Sequence, residues 1–138
     1  MSQNQLSEIT PEILQLADQC IQNGSINPEL YSKYEVKRGL RDINGKGVLA
    51  GLTEISEIHS YIIEDSEMIP CEGKLYYRGV DIEQIVSGFI KEKRLGFEET
   101  VYLLLFGKLP NVKELEDFKV LLANYRNNLP TSLFGISL

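Results

Sequence analysis

The sequence has little of the chemistry from which redox and metal sites are built. It holds one histidine, two cysteines and no tryptophan among 138 residues. Cys20 and Cys71 lie far apart in no ligand-like spacing, so both are predicted to be free thiols in a reducing compartment, with a disulfide or a reactive thiol as the alternatives. His59 has no second imidazole to work with and is predicted to be a structural or surface residue. Since no metal-ligand spacing is present, no metal site is expected.

Long apolar runs and an excess of positive charge are also missing. The longest apolar run, residues 101–106, falls far short of the ~18 residues that a membrane span requires. Residues 1–5 lack the basic start and the apolar core of a signal peptide, so the chain is predicted to be cytoplasmic and to have no membrane partner. The formal net charge is −6. Such a field repels phosphate, which argues against nucleic acid as a partner, although a local basic cluster can still bind one anion.

The first part of the chain carries the signals of one helix and a connection. Thr10 is a good helix N-cap, Pro11 suits the first helical position, and Gly24 is predicted to supply a left-handed stop. Residues 25–36 are rich in turn-forming residues. They are predicted to be a connection with at most a short helical turn.

The second half carries start and stop signals for three more helices. Asp81 with Gln84 three positions later resembles a capping box, and Asn111 with Glu114 forms another. Gly107 ends the middle helix. The acidic residues at these helix starts are predicted to interact with the helix dipoles rather than to act in catalysis. The predicted helices span residues 81–92, 97–106 and 111–127.

Residues 45–79 have a different texture from the helical parts. Glycines and β-branched residues recur there at short intervals, and Glu72 and Gly73 are typical of a turn ahead of residues 74–77. Short strands or hairpins are therefore predicted. They are too few for a large sheet and are expected to decorate a helical body.

Two apolar segments indicate contacts beyond this chain. Residues 101–106 are apolar on every side of the helix, which implies burial on several sides. Residues 131–138 carry no charge and no polar cap. We therefore expect self-association into a homo-oligomer, and a polypeptide that is truncated; the alternative is a tail that docks on its own domain.

An ordered series of motifs between about residues 37 and 132 resembles the N-terminal region of citrate synthases. Several motifs occur in order with family-like spacing, which is more specific than any one of them. They are Gly39-Leu40-Arg41-Asp42, Gly45-Lys46-Gly47-Val48, Thr53-x-Ile55-Ser56-x-Ile58, Gly73-x-Leu75-x-Tyr77-Arg78-Gly79-Val80-x-Ile82, Phe97-Glu98-Glu99-x-x-Tyr102-Leu103-Leu104-Leu105-x-Gly107-x-Leu109-Pro110, Glu114-Leu115-x-x-Phe118, Arg126 and Leu129-Pro130.

This resemblance implies a mainly α fold. Residues 1–36 would form an N-terminal helix and connection. Residues 37–138 would form part of the multihelical citrate synthase large domain, with a small β-hairpin region. Family members are two-fold dimers that join acetyl-CoA to oxaloacetate and then hydrolyse the citryl thioester.

The resemblance also implies that the reaction requires one aspartate and two histidines, all from segments after the matched region. No residue of this sequence matches them, so no catalytic residue is assigned and the chain alone is predicted to be inactive. No covalently bound cofactor is expected; acetyl-CoA is a substrate of the complete enzyme. Two alternatives stay open: part of a 2-methylcitrate synthase, and a short non-enzymatic helical binding or assembly module derived from the same fold.

One basic cluster matches a binding position of the family. Arg41 stands where some members place an arginine near the CoA phosphates, and a guanidinium suits bidentate phosphate binding. Arg41 is therefore the candidate CoA-binding residue, with solvated loop charge as the alternative. Arg78 is predicted to form a structural ion pair beneath the hairpin. The other members of the basic cluster are Lys37, Arg38 and Lys46.

Overall fold

The computed structural model describes residues 8–37, 39–43, 45, 47–65 and 67–129. Within these residues five helices accompany one three-stranded antiparallel sheet. The described residues therefore form a mixed α and β fold. Helices make up most of the regular structure, in agreement with the mainly α prediction. The sheet is larger than the small hairpin that was predicted. The division of the chain at residues 36 and 37 stays a prediction.

The first helix, α1 (Pro11–Gly24), begins as predicted. Pro11 takes the first helical position and the Thr10 hydroxyl accepts a hydrogen bond from the amide of Ile13 at 3.4 Å. The predicted left-handed stop at Gly24 is wrong, because the helix ends into Ser25 with extended dihedrals and Gly24 remains helical. A short helix, α2 (Glu29–Lys33), follows in the predicted connection.

A long hairpin joins β1 (Ser56–Glu64) to β2 (Glu67–Tyr77). The predicted turn at Glu72 and Gly73 is wrong: these residues lie inside β2, and the hairpin turns around Asp65, whose φ is +48°. His59 pairs with Lys74 and Tyr61 with Pro70, so one residue of β1 faces three residues of β2. The turn residues at 72 and 73 thus lie in a bulge, where two extra residues of β2 are left out of the ladder.

The base of this hairpin connects to the helical part through a third strand, β3 (Val80–Asp81), which pairs with the end of β2. Asp81 then caps α3 (Ile82–Glu92), but its carboxylate accepts a hydrogen bond from the amide of Glu83 at 2.8 Å rather than from Gln84. The predicted capping box at Asp81 is therefore replaced by a simple N-cap. Lys74 reinforces this corner with an ammonium 2.9 Å from the Glu83 carboxylate.

The last two helices lie within one residue of their predicted bounds. Helix α4 (Phe97–Phe106) ends at Gly107, which is left-handed with φ +73°. Helix α5 (Val112–Asn127) starts with the predicted capping box, in which Asn111 accepts from the Glu114 amide at 2.9 Å and the Glu114 carboxylate accepts from the Asn111 amide at 2.8 Å.

The core of the described residues lies where α1, α4 and α5 meet. The rings of Tyr102 and Phe106 are 4.4 Å apart, and Phe118 meets each of them edge-on at 5.4 and 5.8 Å. On the same helix Leu103 is fully buried, whereas Leu105 is 45% exposed. The segment predicted to be buried on several sides is thus buried on most of them. Leu16, Cys20, Val101 and Leu122 pack around the cluster.

Two further sequence predictions can be compared with the described residues. Cys20 and Cys71 are both free thiols, as predicted, the second of them exposed. No helix in the part of the chain that the structure describes is long and apolar enough to cross a membrane. The apolar tail at residues 131–138 lies outside the described residues.

Candidate functional site

Arg41 lies on a small irregular loop between α2 and the hairpin. The loop is closed by a hydrogen bond from the Lys37 amide to the Leu49 carbonyl at 2.8 Å and by an isolated antiparallel bridge between Arg41 and Gly47. At its tip the amide of Gly45 donates to the carbonyl of Asp42 at 2.9 Å. Gly45 has φ +78°, which suits glycine because a side chain there would be strained. A tight turn therefore follows Arg41, and the bridge to Gly47 holds the Arg41 backbone across it.

The guanidinium of Arg41 is exposed and anchored at one corner. Its Nη1 donates to the carbonyl oxygen of Gly45 at 3.0 Å, across the turn. A guanidinium carries five N–H donors, so this bond leaves several for an oxyanion. A bond to the loop's own backbone also restricts the side chain, which lowers the entropy lost when an anion binds.

Of the other members of the predicted basic cluster, Lys37 alone belongs to the part of the chain that the structure describes. Lys37 is exposed on the same loop, and its ammonium lies 3.8 Å from the carboxylate of Glu35. Asp42, beside Arg41, accepts a hydrogen bond from the amide of Ile43 at 2.8 Å. Arg38 and Lys46 lie outside the described residues. Among the described residues, the loop thus presents the anchored Arg41 guanidinium, which suits bidentate contact with a phosphate group, beside the acidic residues Glu35 and Asp42.

His59 lies on the hairpin, away from this loop in the sequence and in its contacts. Its Nε2 is 2.6 Å from the Glu57 carboxylate and its ring meets Tyr76 edge-on at 5.6 Å. The side chain is 45% exposed. These contacts confirm that His59 is a surface residue of the hairpin.

The acidic residues at the helix starts have partners that the sequence did not reveal. Glu98 pairs with Arg126 at 3.2 Å, and Glu99 pairs with Arg94. Arg94 also stacks on Phe89, with its guanidinium carbon 4.7 Å from the ring centroid. The hydrogen bonds to Glu99 and then Glu92 raise the pKa of Arg94 above its ordinary value. These residues join helices, which explains them without any catalytic role.

Glu114 is held in its charged form by its surroundings. The hydrogen bond from Lys108 at 2.6 Å, followed by that from the Asn111 amide, lowers the pKa of Glu114, and the same contact raises the pKa of Lys108. Burial, and to a lesser extent the Glu114 charge, raises the pKa of the nearby Tyr102. Glu114 therefore stabilises the α5 start and its link to α4.

Arg78 has a structural role, but not through the predicted ion pair. Its Nε donates to the Leu104 carbonyl at 3.1 Å and its Nη1 to the Asn23 carbonyl at 2.9 Å. Both carbonyls belong to the last turns of helices, where backbone acceptors are left without helical partners. The guanidinium thus joins α1, α4 and the turn that follows β2. The sequence signal, Tyr-Arg-Gly after a strand, marked the position but not its acceptors.

Comparison with known proteins assigns the chain to a family. The family model described as "Citrate synthase, C-terminal domain" matches residues 39–136, which is well over half of the chain. The chain belongs to the citrate synthase family. The matched range contains Arg41, the hairpin, α3, α4 and α5. The expectation that this segment is the N-terminal portion of the family's polypeptide stays a prediction.

Curated relatives agree with the family assignment. A 2-methylcitrate synthase 1 of Corynebacterium glutamicum is 31% identical over 96 residues, which are 70% of this chain and 20% of the relative. A citrate synthase of Saccharolobus solfataricus is 48% identical over 48 residues, 35% of this chain and 11% of the relative. A citrate synthase-related protein of Dictyostelium discoideum is 37% identical over 62 residues, 45% of this chain and 13% of the relative. No solved structure matches the chain at a comparable level.

The chain therefore spans a fifth or less of the length of these citrate synthase relatives. Among the described residues, no three histidine, cysteine or acidic side chains are placed to hold a metal ion together. The citrate synthase family resemblance assigns a role to one described residue, Arg41, as a phosphate contact. That role is taken up below as a proposal.

Proposed function

We propose that this chain is the N-terminal part of a citrate synthase, the enzyme that condenses acetyl-CoA with oxaloacetate to give citrate and CoA. The family match over residues 39–136 carries the proposal. The order in which the family-like motifs occur along the chain supports the N-terminal placement. A cytoplasmic location is part of this proposal, and the two free thiols support it because a reducing compartment keeps thiols unpaired.

A 2-methylcitrate synthase is the closely related alternative substrate class. The relative with the longest alignment given above bears that name, and it aligns with 70% of this chain. The two reactions differ in the acyl group of the thioester, acetyl in one and propionyl in the other. Discrimination between them requires a pocket around one methyl group, which is worth only about 1–3 kcal/mol.

The isolated 138-residue chain is proposed to lack synthase activity. The family's reaction, as the resemblance implies it, needs two imidazoles and one proton-abstracting carboxylate, and this sequence holds His59 alone. The physical requirement is general acid–base catalysis by groups that converge on one substrate. A lone imidazole on an exposed hairpin cannot supply it.

The test is to incubate the purified chain with acetyl-CoA and oxaloacetate and to measure citrate by mass spectrometry. A thiol reagent alone would mislead, because the exposed Cys71 reacts with it. The Cys71→Ser variant removes that background and permits a parallel CoA-thiol assay. Citrate formed above a blank would overturn the proposal of inactivity. A downstream reading frame that encodes two histidines and an aspartate would support the citrate synthase assignment, and an immediate stop codon would count against it.

Arg41 is proposed to contact a phosphate group of CoA in the complete enzyme. Its exposed guanidinium, anchored on the Gly45 carbonyl, is the observation that supports this role. In a longer polypeptide that is active, Arg41→Gln should raise the KM for acetyl-CoA several-fold with little change in kcat, because it removes a charge-assisted hydrogen bond made to the cofactor-like part of the substrate. Lys33→Gln, a loss of equal charge in α2, is the control. Equal KM values for Arg41→Gln and Lys33→Gln would rule out the contact.

A second candidate function, a self-associating module of the same fold, is favoured by the outer half of the hairpin. Successive residues of a strand face opposite sides, so the pairs Ile62–Ile69 and Ile63–Met68 place apolar side chains on both faces. Ile63 is 69% and Met68 is 63% exposed. Apolar surface on both faces of an exposed hairpin is typical of an element that a partner covers.

Sedimentation velocity tests this second function directly. The chain should sediment as a homo-oligomer at tens of micromolar, and the double variant Ile63→Glu and Met68→Glu should shift it to a monomer. The control is Val112→Glu, which adds charge at an apolar residue outside the hairpin that is more exposed still, at 88%. A wild-type chain that is monomeric under these conditions would eliminate the self-association module and leave the citrate synthase assignment untouched.

A further inference from the structure

A cleft of about 640 Å³ separates α1 from α5 on the side of the core. Its floor is formed by the outer surface of the aromatic cluster, with Leu16 from α1 and Phe118 and Leu121 from α5. Val120, at the edge of the floor, is 51% exposed. The lining surface is mostly apolar. Apolar surface in a cleft of this kind is stabilised when another apolar side chain excludes the water.

The lining residues recur at helical spacing on both sides. On α1 the cleft is lined at positions 12, 15, 16 and 19, and on α5 at positions 114, 117, 118, 120, 121 and 124. Each set is one stripe of a helix. At ~1.5 Å per residue, the stripe on α5 is about 15 Å long. Two helical stripes with an apolar floor between them are the kind of surface that binds an amphipathic helix in the helix-in-groove mode.

The rim of the cleft carries negative charge without a matching positive charge. Glu12, Glu114 and Asp117 line it, and no lysine or arginine does. Lys108 neutralises Glu114 from outside the lining. Glu12 and Asp117 have no ion-pair partner among the described residues. The two carboxylates stand on opposite helices, so they flank whatever occupies the floor.

One lining side chain also has an unmet acceptor. Oε1 of Gln19 is shielded from solvent and has no hydrogen-bond donor among the described residues. A shielded acceptor without a donor destabilises the folded state, because the oxygen has lost its hydrogen bonds to water. If the Gln19 amide rotates toward the cleft, an occupant could donate a hydrogen bond to its Oε1 and remove this destabilisation.

We propose that the α1–α5 cleft is a docking site for a cationic amphipathic helix, which places an apolar stripe on the floor and basic side chains against Glu12 and Asp117. The apolar floor supplies the contact area. The unpaired carboxylates on the two walls select the sign of the charge, because like charges in a cleft are disfavoured while opposite charges are attracted. An acidic helix could contact the same floor but would be repelled by the two carboxylates. A neutral helix would gain no electrostatic attraction from them.

The probe is a pair of synthetic amphipathic peptides of about four helical turns. Both carry leucines at i, i+3, i+4 and i+7, one flanked by lysines and the other by glutamates at the same positions. Fluorescence anisotropy with the full 138-residue chain should show at least tenfold tighter binding of the lysine peptide at low salt. Amide chemical-shift changes should map to α1 and α5. The preference should shrink as salt is raised, because surface charges are screened.

Two adjacent residues provide a matched pair of variants. Asp117→Lys reverses a charge that lines the cleft, whereas Glu116→Lys reverses an exposed charge on the same helical turn that does not line it. The two variants have the same net charge and the same effect on the helix dipole. Asp117→Lys should weaken binding of the lysine peptide about tenfold, and Glu116→Lys should leave it within twofold. Val120→Ser should weaken both peptides, because it removes apolar floor.

Several results would overturn the docking site. These are equal affinity for the two peptides, no binding of either, equal behaviour of Asp117→Lys and Glu116→Lys, or shift changes confined to the hairpin. A concentration-dependent dimer that Val120→Ser abolishes would assign the cleft to a second copy of this chain instead. None of these outcomes depends on citrate synthesis, so they test the docking site independently of the proposed enzymatic function.

Discussion

Arg78 donates a hydrogen bond from Nε to the carbonyl oxygen of Leu104 at 3.1 Å, although 26 residues separate them in the sequence. A second bond, to the Asn23 carbonyl, ties the same guanidinium to the end of α1. Arg78 has φ +48°, a conformation that non-glycine residues adopt only when the surroundings impose it. The two helix ends therefore hold this turn in place.

We predict that Arg78→Ala lowers the free energy of unfolding by about 2–3 kcal/mol, since hydrogen bonds from a charged donor contribute more than neutral ones. The measurement is urea denaturation followed by circular dichroism. Arg126→Ala, which breaks the exposed pair with Glu98, should cost less than about 1 kcal/mol. If both variants lose the same amount, Arg78 is no more than another surface charge.

Gly96 is predicted to be intolerant of any side chain. A Cβ at this position would overlap three ring carbons of Phe89, which is itself stacked under Arg94. Gly96→Ala should therefore reduce stability by about 1–3 kcal/mol through overpacking, and Phe89→Leu in the same chain should recover part of the loss. Gly88→Ala is the control: nothing lies within 4 Å of its added Cβ. In the interior of α3 that change should stabilise by roughly 0.5–1 kcal/mol. Thermal melts of the four chains compare these effects.

The aromatic cluster should contribute most of the packing energy of the helical part. Phe118 is 6% exposed and meets both Tyr102 and Phe106 edge-on, so Phe118→Ala should cost about 3–5 kcal/mol. Phe97 is 65% exposed. The same deletion there should cost far less because little surface returns to water. Comparable losses in chemical denaturation would mean that the cluster is not the core.

Stability should fall on acidification through the Glu114 contacts. The hydrogen bond from Lys108, and then that from the Asn111 amide, lowers the pKa of Glu114 from its ordinary value of 4.5. The folded state then binds fewer protons than the unfolded state below pH 4.5, so this contribution is complete above that pH and is lost as the pH falls through the lowered pKa. Glu114→Gln keeps a capping side chain but cannot titrate. The wild type should lose more stability than Glu114→Gln between pH 6 and pH 3; parallel pH profiles would contradict the assignment.

Local signals in the sequence predicted the helices well and the sheet less well. Asn111 and Glu114 gave the start of α5, and Gly107 gave the end of α4, because caps satisfy backbone groups through residues only a few positions away. Glu72 and Gly73 led to the wrong prediction of a turn, since the same residue types suit both a turn and a bulge. The choice between them depends on the strand register, which pairs Tyr61 with Pro70 across the hairpin.

The candidate site was predictable only in part. Arg41 was found from its place in the family motif, and the Gly45 turn that anchors it was visible as a glycine-rich stretch. The pairing of Lys37 with Glu35 on this loop was not predictable from the sequence, because it depends on side-chain geometry. The sequence showed no sign of the acidic cleft, because Glu12 and Asp117 lie on different helices and are 105 positions apart in the chain.

By itself the sequence determined the family, the boundaries of α4 and α5 to within one residue, and the scarcity of catalytic side chains, because each of these depends on which residues occur and on their order. Only the tertiary structure decided that Arg78 bonds two helix ends, that the hairpin exposes apolar pairs on both faces, and that two carboxylates flank an open cleft. Those features arise from elements that meet across long sequence separations. The packing of α1 against α4 and of α4 against α5 fixes that meeting, and no local pattern encodes it.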